Sequence, residues 1–305
     1  VKLEGTDRME KLTPAVVALG MFDGVHIGHR ALIARAVEEA KALRAEPAVF
    51  TFSNHPMDVL GGSVRLLSSM KERNTMIRSL GIEELVSEPF TCQLAALSPE
   101  EFIDLLQARW DVKALVAGYN YTFGSRGLGT PETLKQFGNA RGFQTFVVPP
   151  VLYENEPVSS TRVREAVERG EMELARALLG RRYSLSGRVI KNKRIGRRIG
   201  FPTANIEPEE RRVLPPDGVY ATIACVGGAA YRAVTNIGTN PTVNGTKLSI
   251  ETHILDFDSD IYGEVLTVAF HSFLRGEIKF DSVEDMKEQI RRDVQKASAI
   301  RQITL

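Results

Sequence analysis

The pattern of this chain changes character once, near Arg181 to Ser184, and that change restricts the fold more than any other feature of the sequence. Before it, short apolar runs alternate with amphipathic stretches. Val16 to Leu19 leads to a helical stripe through Leu32, Ile33, Ala36, Val37, Ala40 and Leu43, then to the apolar run Ala48 to Phe52. Further strands are predicted at Leu85-Val86, Ala114 to Gly118 and Gln144 to Val148, with helices at 71–80, near 131–139 and after Ser98. Ser98-Pro99-Glu100-Glu101 joins a capping serine, a proline at the first helical position and a glutamate three residues on, which marks a helix start. Strands alternating with helices imply a parallel sheet that holds ligands beyond the carboxyl ends of its strands. The loops after Leu19, Phe52 and Gly118 would then meet at one crevice.

After the change, Ser184 to Ile190, Val219 to Cys225, Tyr231 to Asn236, Leu248 to Leu255 and Val265 to Phe273 read as strands separated by glycine and proline turns. They predict a small, closed or nearly closed β-barrel. A terminal helix follows, capped by Ser282, with Val283, Met286, Ile290 and Val294 as its apolar side. At 305 residues the chain is long for one core. We therefore expect an α/β plus β architecture with an N-terminal Rossmann-like domain at 1–180 and a Greek-key-type barrel with its terminal helix at 181–305.

Composition excludes several classes. A formal net charge of +1 offers no bulk electrostatics for nucleic acid or a membrane surface. No apolar run approaches the roughly 20 residues of a membrane span, and the first residues show no signal-peptide h-region, so a cytoplasmic protein is expected. Cys92 and Cys225 form no metal-binding spacing and are expected to be buried small hydrophobes.

The chemistry is concentrated in VALGMFDGVHIGHR, residues 17–30. His26 and His29 stand three apart around Gly28, a spacing that lets both rings face one target at a helix start. Phosphoryl or nucleotidyl transfer needs such donors, because negative charge builds on phosphate oxygens. The unpaired amides of the helix start add to them, and Gly28 lets the backbone approach. Ser159-Ser160-Thr161 with Arg162 and Arg164 opens a later helix and makes a plausible anion clamp. In the barrel half, Gly200-Phe201-Pro202-Thr203-Ala204-Asn205 is extended, so Thr203 and Asn205 point to one side. Such hard oxygens, few enough to leave room for water and phosphates, suit Mg²⁺. The loop KNKRIGRR at 191–198 could lie over phosphates, and Glu251 is a carboxylate in a strand and a candidate general base.

Together these segments resemble the bacterial bifunctional riboflavin kinase/FMN adenylyltransferase family over nearly the whole chain. GMFDGVHIGH looks like its nucleotidyltransferase motif, GYNYTFG its flavin-domain loop, VSSTRVR its second nucleotide motif, and GFPTANI, DGVYA and IETHIL its kinase signatures. The resemblance implies phosphorylation of riboflavin to FMN in the carboxy-terminal domain, with Glu251 taking the hydroxyl proton and Thr203 and Asn205 holding Mg²⁺. It implies adenylylation of FMN by a second ATP in the amino-terminal domain, with release of pyrophosphate. There His26 and His29 would stabilise the transition state, Arg164 would act on the phosphates, and Asn120 would lie near the reacting groups. Gly20, Phe22, Asp23, Gly24, Gly28, Ser159, Ser160 and Thr161 would bind nucleotide in the first domain, and Gly196, Arg197, Gly200 and Pro202 in the second. The implied partners are small molecules alone (riboflavin, FMN and ATP), with no nucleic acid and no membrane, on a monomer or weak homo-oligomer.

Two departures stand out. Met21 lies where similar proteins usually carry asparagine or a small residue, and KNKRIGRR is poorer in glycine than the family's phosphate loop. Class I aminoacyl-tRNA synthetases share the HIGH tetrapeptide, but a KMSKS-like partner is missing. A single adenylyltransferase leaves GFPTAN and Glu251 unexplained, and a flavin-binding regulator would bind without turnover.

Overall fold

The computed structural model describes residues 12–191, 196, 199–208, 211–242 and 245–301. Two compact units form, Val1–Ser159 and Ser160–Leu305. The helices at 160–179, which the sequence places with the first domain, fall in the second unit because α7 (Met172–Leu179) packs on a barrel strand.

The first unit is a parallel sheet built from β1 (Pro14–Leu19), β2 (Glu46–Phe52), β3 (Glu84–Glu88), β4 (Asp111–Gly118) and β5 (Gln144–Val148), in the order β3-β2-β1-β4-β5. Side chains alternate across the sheet. Ala15, Val17 and Leu19 pack with α4 (Pro99–Arg109) and α5 (Pro131–Arg141), whereas Val16 and Ala18 pack with α1 (Ile27–Leu43) and α2 (Met70–Ser79). The strand order reverses at β1, whose neighbours are β2 and β4, so the loops after Leu19, Phe52 and Gly118 leave adjacent strands at the same end, as expected. The capping box of Ser98 and Glu101 is formed, with the Glu101 amide donating to the Ser98 hydroxyl at 3.1 Å.

In the second unit, α6 (Ser160–Glu168) and α7 precede a closed barrel. Its strands are β8 (Ser184–Ile190), β9 (Ala204–Pro208), β10 (Gly218–Val226), β11 (Ala229–Thr242), β12 (Gly245–Ile254) and β13 (Val265–Arg275), ordered β10-β11-β12-β9-β8-β13. Inside it Thr222, Thr235 and Thr252, all fully buried, link their hydroxyls at 2.8 and 3.0 Å, which satisfies polar groups in an otherwise apolar interior. The helix α8 (Val283–Ser298) starts at Ser282 as predicted.

The sequence did not disclose the short helix α3 (Cys92–Ala96) or the hairpin β6 (Leu152–Tyr153) with β7 (Glu156–Pro157). Cys92 is exposed and Cys225 half-buried, against the expectation of two buried thiols. Val283 stands 49% exposed at the mouth of its helix rather than on the packed side.

Candidate active sites

The first site grows from the end of β1. Phe22 (φ 55°) and Val25 (φ 41°) both adopt left-handed backbone, which is costly for a β-branched valine and sharpens the turn into α1. Gly20 leaves room for the Phe22 ring, whose Cζ would lie 3.1 Å from an added Cβ. Asp23 is buried and its carboxylate accepts the Leu67 and Ser68 amides at 3.0 and 3.2 Å, while Ser68 Oγ accepts from the Gly24 amide. This ties the turn to the buried 67–69 segment.

His26 is the N-cap of α1, its Nδ1 accepting from the His29 amide at 3.2 Å. The two rings stack, 3.6 Å between centroids. An added Cβ on Gly28 would sit 3.1 Å from the His26 ring, so this glycine makes space for the imidazole as well as for backbone approach. The pair is brought together as the spacing predicts, through a cap rather than one helical face. Nδ1 of His29 is buried without a hydrogen-bond partner among the described residues. Burial, with the charges of His26 and Arg73 adding to it, holds the His29 imidazole well below the usual histidine range.

Arg73 is the residue of this first site that sequence reasoning missed. It is buried on α2, donating to the Met21 carbonyl at 3.2 Å and the Phe52 carbonyl at 2.6 Å, and so clamps the ends of β1 and β2. The signal was an arginine on the apolar stripe through Ile77 and Leu80. Thr51 Oγ1 also donates to Met21 O, which explains why the unusual side chain at 21 is tolerated: its backbone carbonyl is what the turn uses. Asn120 lies exposed two residues beyond β4, and Tyr121 and Phe123 stack at 5.9 Å beside it. Ser160 opens α6, with Ser159 before it and Thr161 exposed in its first turn, and Arg164 is half-buried one turn on.

The second site lies on the barrel. In the strand register Glu251 stands opposite Asn205 on β9 and Asn236 on β11. Ser249 Oγ donates to Glu251 Oε1 at 2.9 Å. A cavity of about 590 Å³ is lined by Gly196, Thr203, Asn236, Glu251, His253 and Arg275. A second cavity, of about 300 Å³, is lined by Pro202, Thr203, Thr252, Phe257, Asp260 and Tyr262. Thr203 belongs to both walls. Asn205 is buried at the second position of β9, opposite Glu251, and is not among the residues lining either cavity. Gly200 needs its left-handed φ of 90°. An added Cβ on Gly196 would fall 2.3 Å from the Phe201 carbonyl, so only glycine fits there. Arg197 and most of KNKRIGRR lie outside the described residues.

Arg275 pairs with Asp293 of α8, which is 1% exposed in its side chain. Asp293 shares a stripe with Met286, Ile290 and Ala297, and a carboxylate on that stripe was the signal for this pair. Thr203 and Asn205 supply two hard oxygens and no thiol or imidazole, a donor set that fits Mg²⁺ completed by water and phosphate oxygens.

Two family models match the chain, riboflavin kinase over residues 179–301 and FAD synthetase over residues 8–162. The bifunctional riboflavin kinase/FMN adenylyltransferase of Listeria monocytogenes is 38% identical over 288 residues, 93% of this chain and 91% of that protein. Those of Bacillus subtilis and Escherichia coli are 36% and 35% identical, covering 94% and 91% of this chain and 93% and 90% of theirs. A crystal structure from Streptococcus pneumoniae, described as a macrolide-efflux protein, superposes with a TM-score of 0.89 at 34% identity, covering 95% of this chain and 96% of that one. Among the described residues here, no helix is long and apolar enough to cross a membrane.

Proposed function

The chain belongs to the bifunctional riboflavin kinase/FMN adenylyltransferase family, and from that premise we propose which of its residues carry the two ATP-dependent steps. The enzyme phosphorylates riboflavin to FMN and adenylylates FMN to FAD. The observation that carries the kinase assignment is Thr203, on the wall shared by the two cavities, with Glu251 on the larger one. Riboflavin fits the larger cavity and the nucleotide the smaller, so the reacting hydroxyl and the γ-phosphate meet across Thr203. Thr203 and Asn205 would hold Mg²⁺, which neutralises phosphate charge when bound. Glu251, oriented by Ser249, takes the proton of the riboflavin 5′-hydroxyl as its oxygen attacks phosphorus and ADP leaves. Gly196, Arg197, Gly200 and Pro202 shape the nucleotide side.

For adenylylation, an FMN phosphate oxygen attacks the α-phosphorus and pyrophosphate departs. His26 and His29 offer hydrogen-bond donors to the oxygens that gain charge, with no covalent intermediate. Asn120 would orient the FMN phosphate, and Ser159, Ser160, Thr161 and Arg164 would hold ATP phosphates. Gly20, Phe22, Asp23, Gly24 and Gly28 build the turn on which the histidines stand. Since the segment 159–164 would serve adenylylation, we place the functional boundary at 180/181, consistent with a riboflavin kinase match that begins at residue 179. ATP as co-substrate favours the cytoplasm, and a near-neutral net charge supplies no bulk electrostatics for nucleic-acid or membrane partners; our reading is a monomer or weak homo-oligomer acting on small molecules.

The test is to incubate the purified chain with riboflavin, ATP and Mg²⁺ and to separate the flavins by chromatography. Glu251→Gln should stop riboflavin consumption while added FMN still becomes FAD. Loss of both steps in a folded Glu251→Gln protein would refute the division of residues.

A further inference from the structure

His253 stands two residues beyond Glu251 on β12, with both side chains on the wall of the 590 Å³ cavity. Its Nδ1 lies 2.8 Å from the Pro202 carbonyl. A carbonyl only accepts, so Nδ1 carries the proton and donates. The Phe201 ring meets the imidazole edge-on, 5.5 Å between centroids. β9 and β12 pair from Ile206 to Ala204 only, which leaves Phe201, Pro202 and Thr203 outside the strand ladder. The His253 contacts therefore extend the link between this segment and the strand bearing Glu251 past the end of the ladder, next to the residue common to both cavities.

We infer that His253 is a positioning residue for riboflavin phosphorylation: by hydrogen bonding to Pro202 and packing on Phe201, it sets the distance between Thr203 and Glu251. The inference rests on the kinase assignment above. In the neutral ring with Nδ1 protonated, Nε2 is the remaining polar atom and can accept from a ligand hydroxyl in the cavity. A loose Phe201–Thr203 segment would leave the acceptor base in place and let the nucleotide end wander. Misplacement of about 1 Å at a reacting centre costs orders of magnitude in rate.

The experiment follows riboflavin phosphorylation in the full chain across a range of Mg²⁺ and ATP concentrations, beside conversion of added FMN and thermal unfolding. His253→Phe keeps a ring against Phe201 but loses the donor; His253→Asn restores a donor at similar reach. For His253→Phe we expect about a tenfold fall in kcat and a rise of similar size in the Mg²⁺ needed for half-maximal rate, with FMN conversion unchanged. His253→Asn should recover to within about threefold of the parent, a rescue that a purely structural role would not give. Should His253→Phe fold poorly, His253→Leu against His253→Asn gives the same contrast. Parent-like kinetics in the variant without a donor, or equal impairment with and without one, would overturn the inference. A fully active Glu251→Gln control would instead bring down the kinase assignment.

Discussion

The imidazoles of His26 and His29 lie nearly parallel, 16° apart, at stacking distance, while the backbone amide of His29 donates to the His26 ring. One histidine thus holds the start of the helix and presses its face on the other. Burial disfavours a charged His29 most, and the nearby positive charges of His26 and Arg73 add to it, so the arrangement favours a neutral His29. A neutral imidazole still donates one hydrogen bond.

Replacing both rings, His26→Ala with His29→Ala, should leave riboflavin phosphorylation intact and lower FMN adenylylation at least about a hundredfold, the usual scale for losing preorganised donors. Chromatography of the flavins would then show FMN accumulating without FAD. Equal loss of both reactions in a folded protein would contradict separate sites.

The lowered pKa of His29 makes an acid-side stability prediction. Its unfolded value is near 6.5 and its folded value lies well below that, so between the two the unfolded chain binds a proton that the folded chain does not. Stability from this group is complete above about pH 6.5 and drains away as pH falls toward the folded pKa. Thermal unfolding followed from pH 7.5 to 5 should show a falling midpoint in the first unit. His29→Gln, which cannot titrate there, should flatten that fall; an unchanged slope would show that other groups cause it.

Arg73→Met removes two charge-assisted hydrogen bonds, and the Phe52 carbonyl loses the donor that holds it at 2.6 Å. Met21 O keeps the Thr51 hydroxyl. The expected cost is about 1–3 kcal/mol by denaturant unfolding, with adenylylation slowed about tenfold as the β1 and β2 ends loosen. Arg73→Lys keeps the charge without the planar fork and should recover only part of the rate. Riboflavin phosphorylation is the internal control, and its loss would mean that the whole chain had been damaged.

Much of this was legible in the sequence because period and punctuation carry most of a fold's instructions. Alternation of apolar runs with helical stripes disclosed the parallel sheet, and Ser98 and Ser282 announced their helices. His26 with His29, and Thr203 with Asn205, were read together because short spacings on a turn or an extended segment survive folding as neighbours. Arg73, His253 and the Arg275–Asp293 pair were not found. Each works through partners distant in the chain, Phe52 lying 21 residues from Arg73 and Pro202 51 from His253. A charged side chain on an apolar stripe hints at such a partner without naming it. The packing of α7 on a barrel strand was not legible either: helix periodicity shows that a face is buried, but not against which neighbour.

Asp293→Ala tests whether the end helix is held by charge or by apolar packing. The Asp293 carboxylate accepts from Arg275 Nε and from Gln289, and Arg275 itself is only 17% exposed in its side chain. Removing the acid would strand a guanidinium at the cavity wall, and breaking a buried pair from one side costs about 3 kcal/mol or more. The unfolding midpoint of the barrel unit should fall accordingly, and the KM for riboflavin should rise, because Arg275, Met286 and Ile290 line the same cavity. Arg275→Met combined with Asp293→Leu removes both charges together. Since replacing a buried pair by apolar groups of similar size is often neutral, the double variant should regain most of the stability. If it also regains the parent KM, the pair only fastens the helix; if KM stays high, the guanidinium itself meets the flavin.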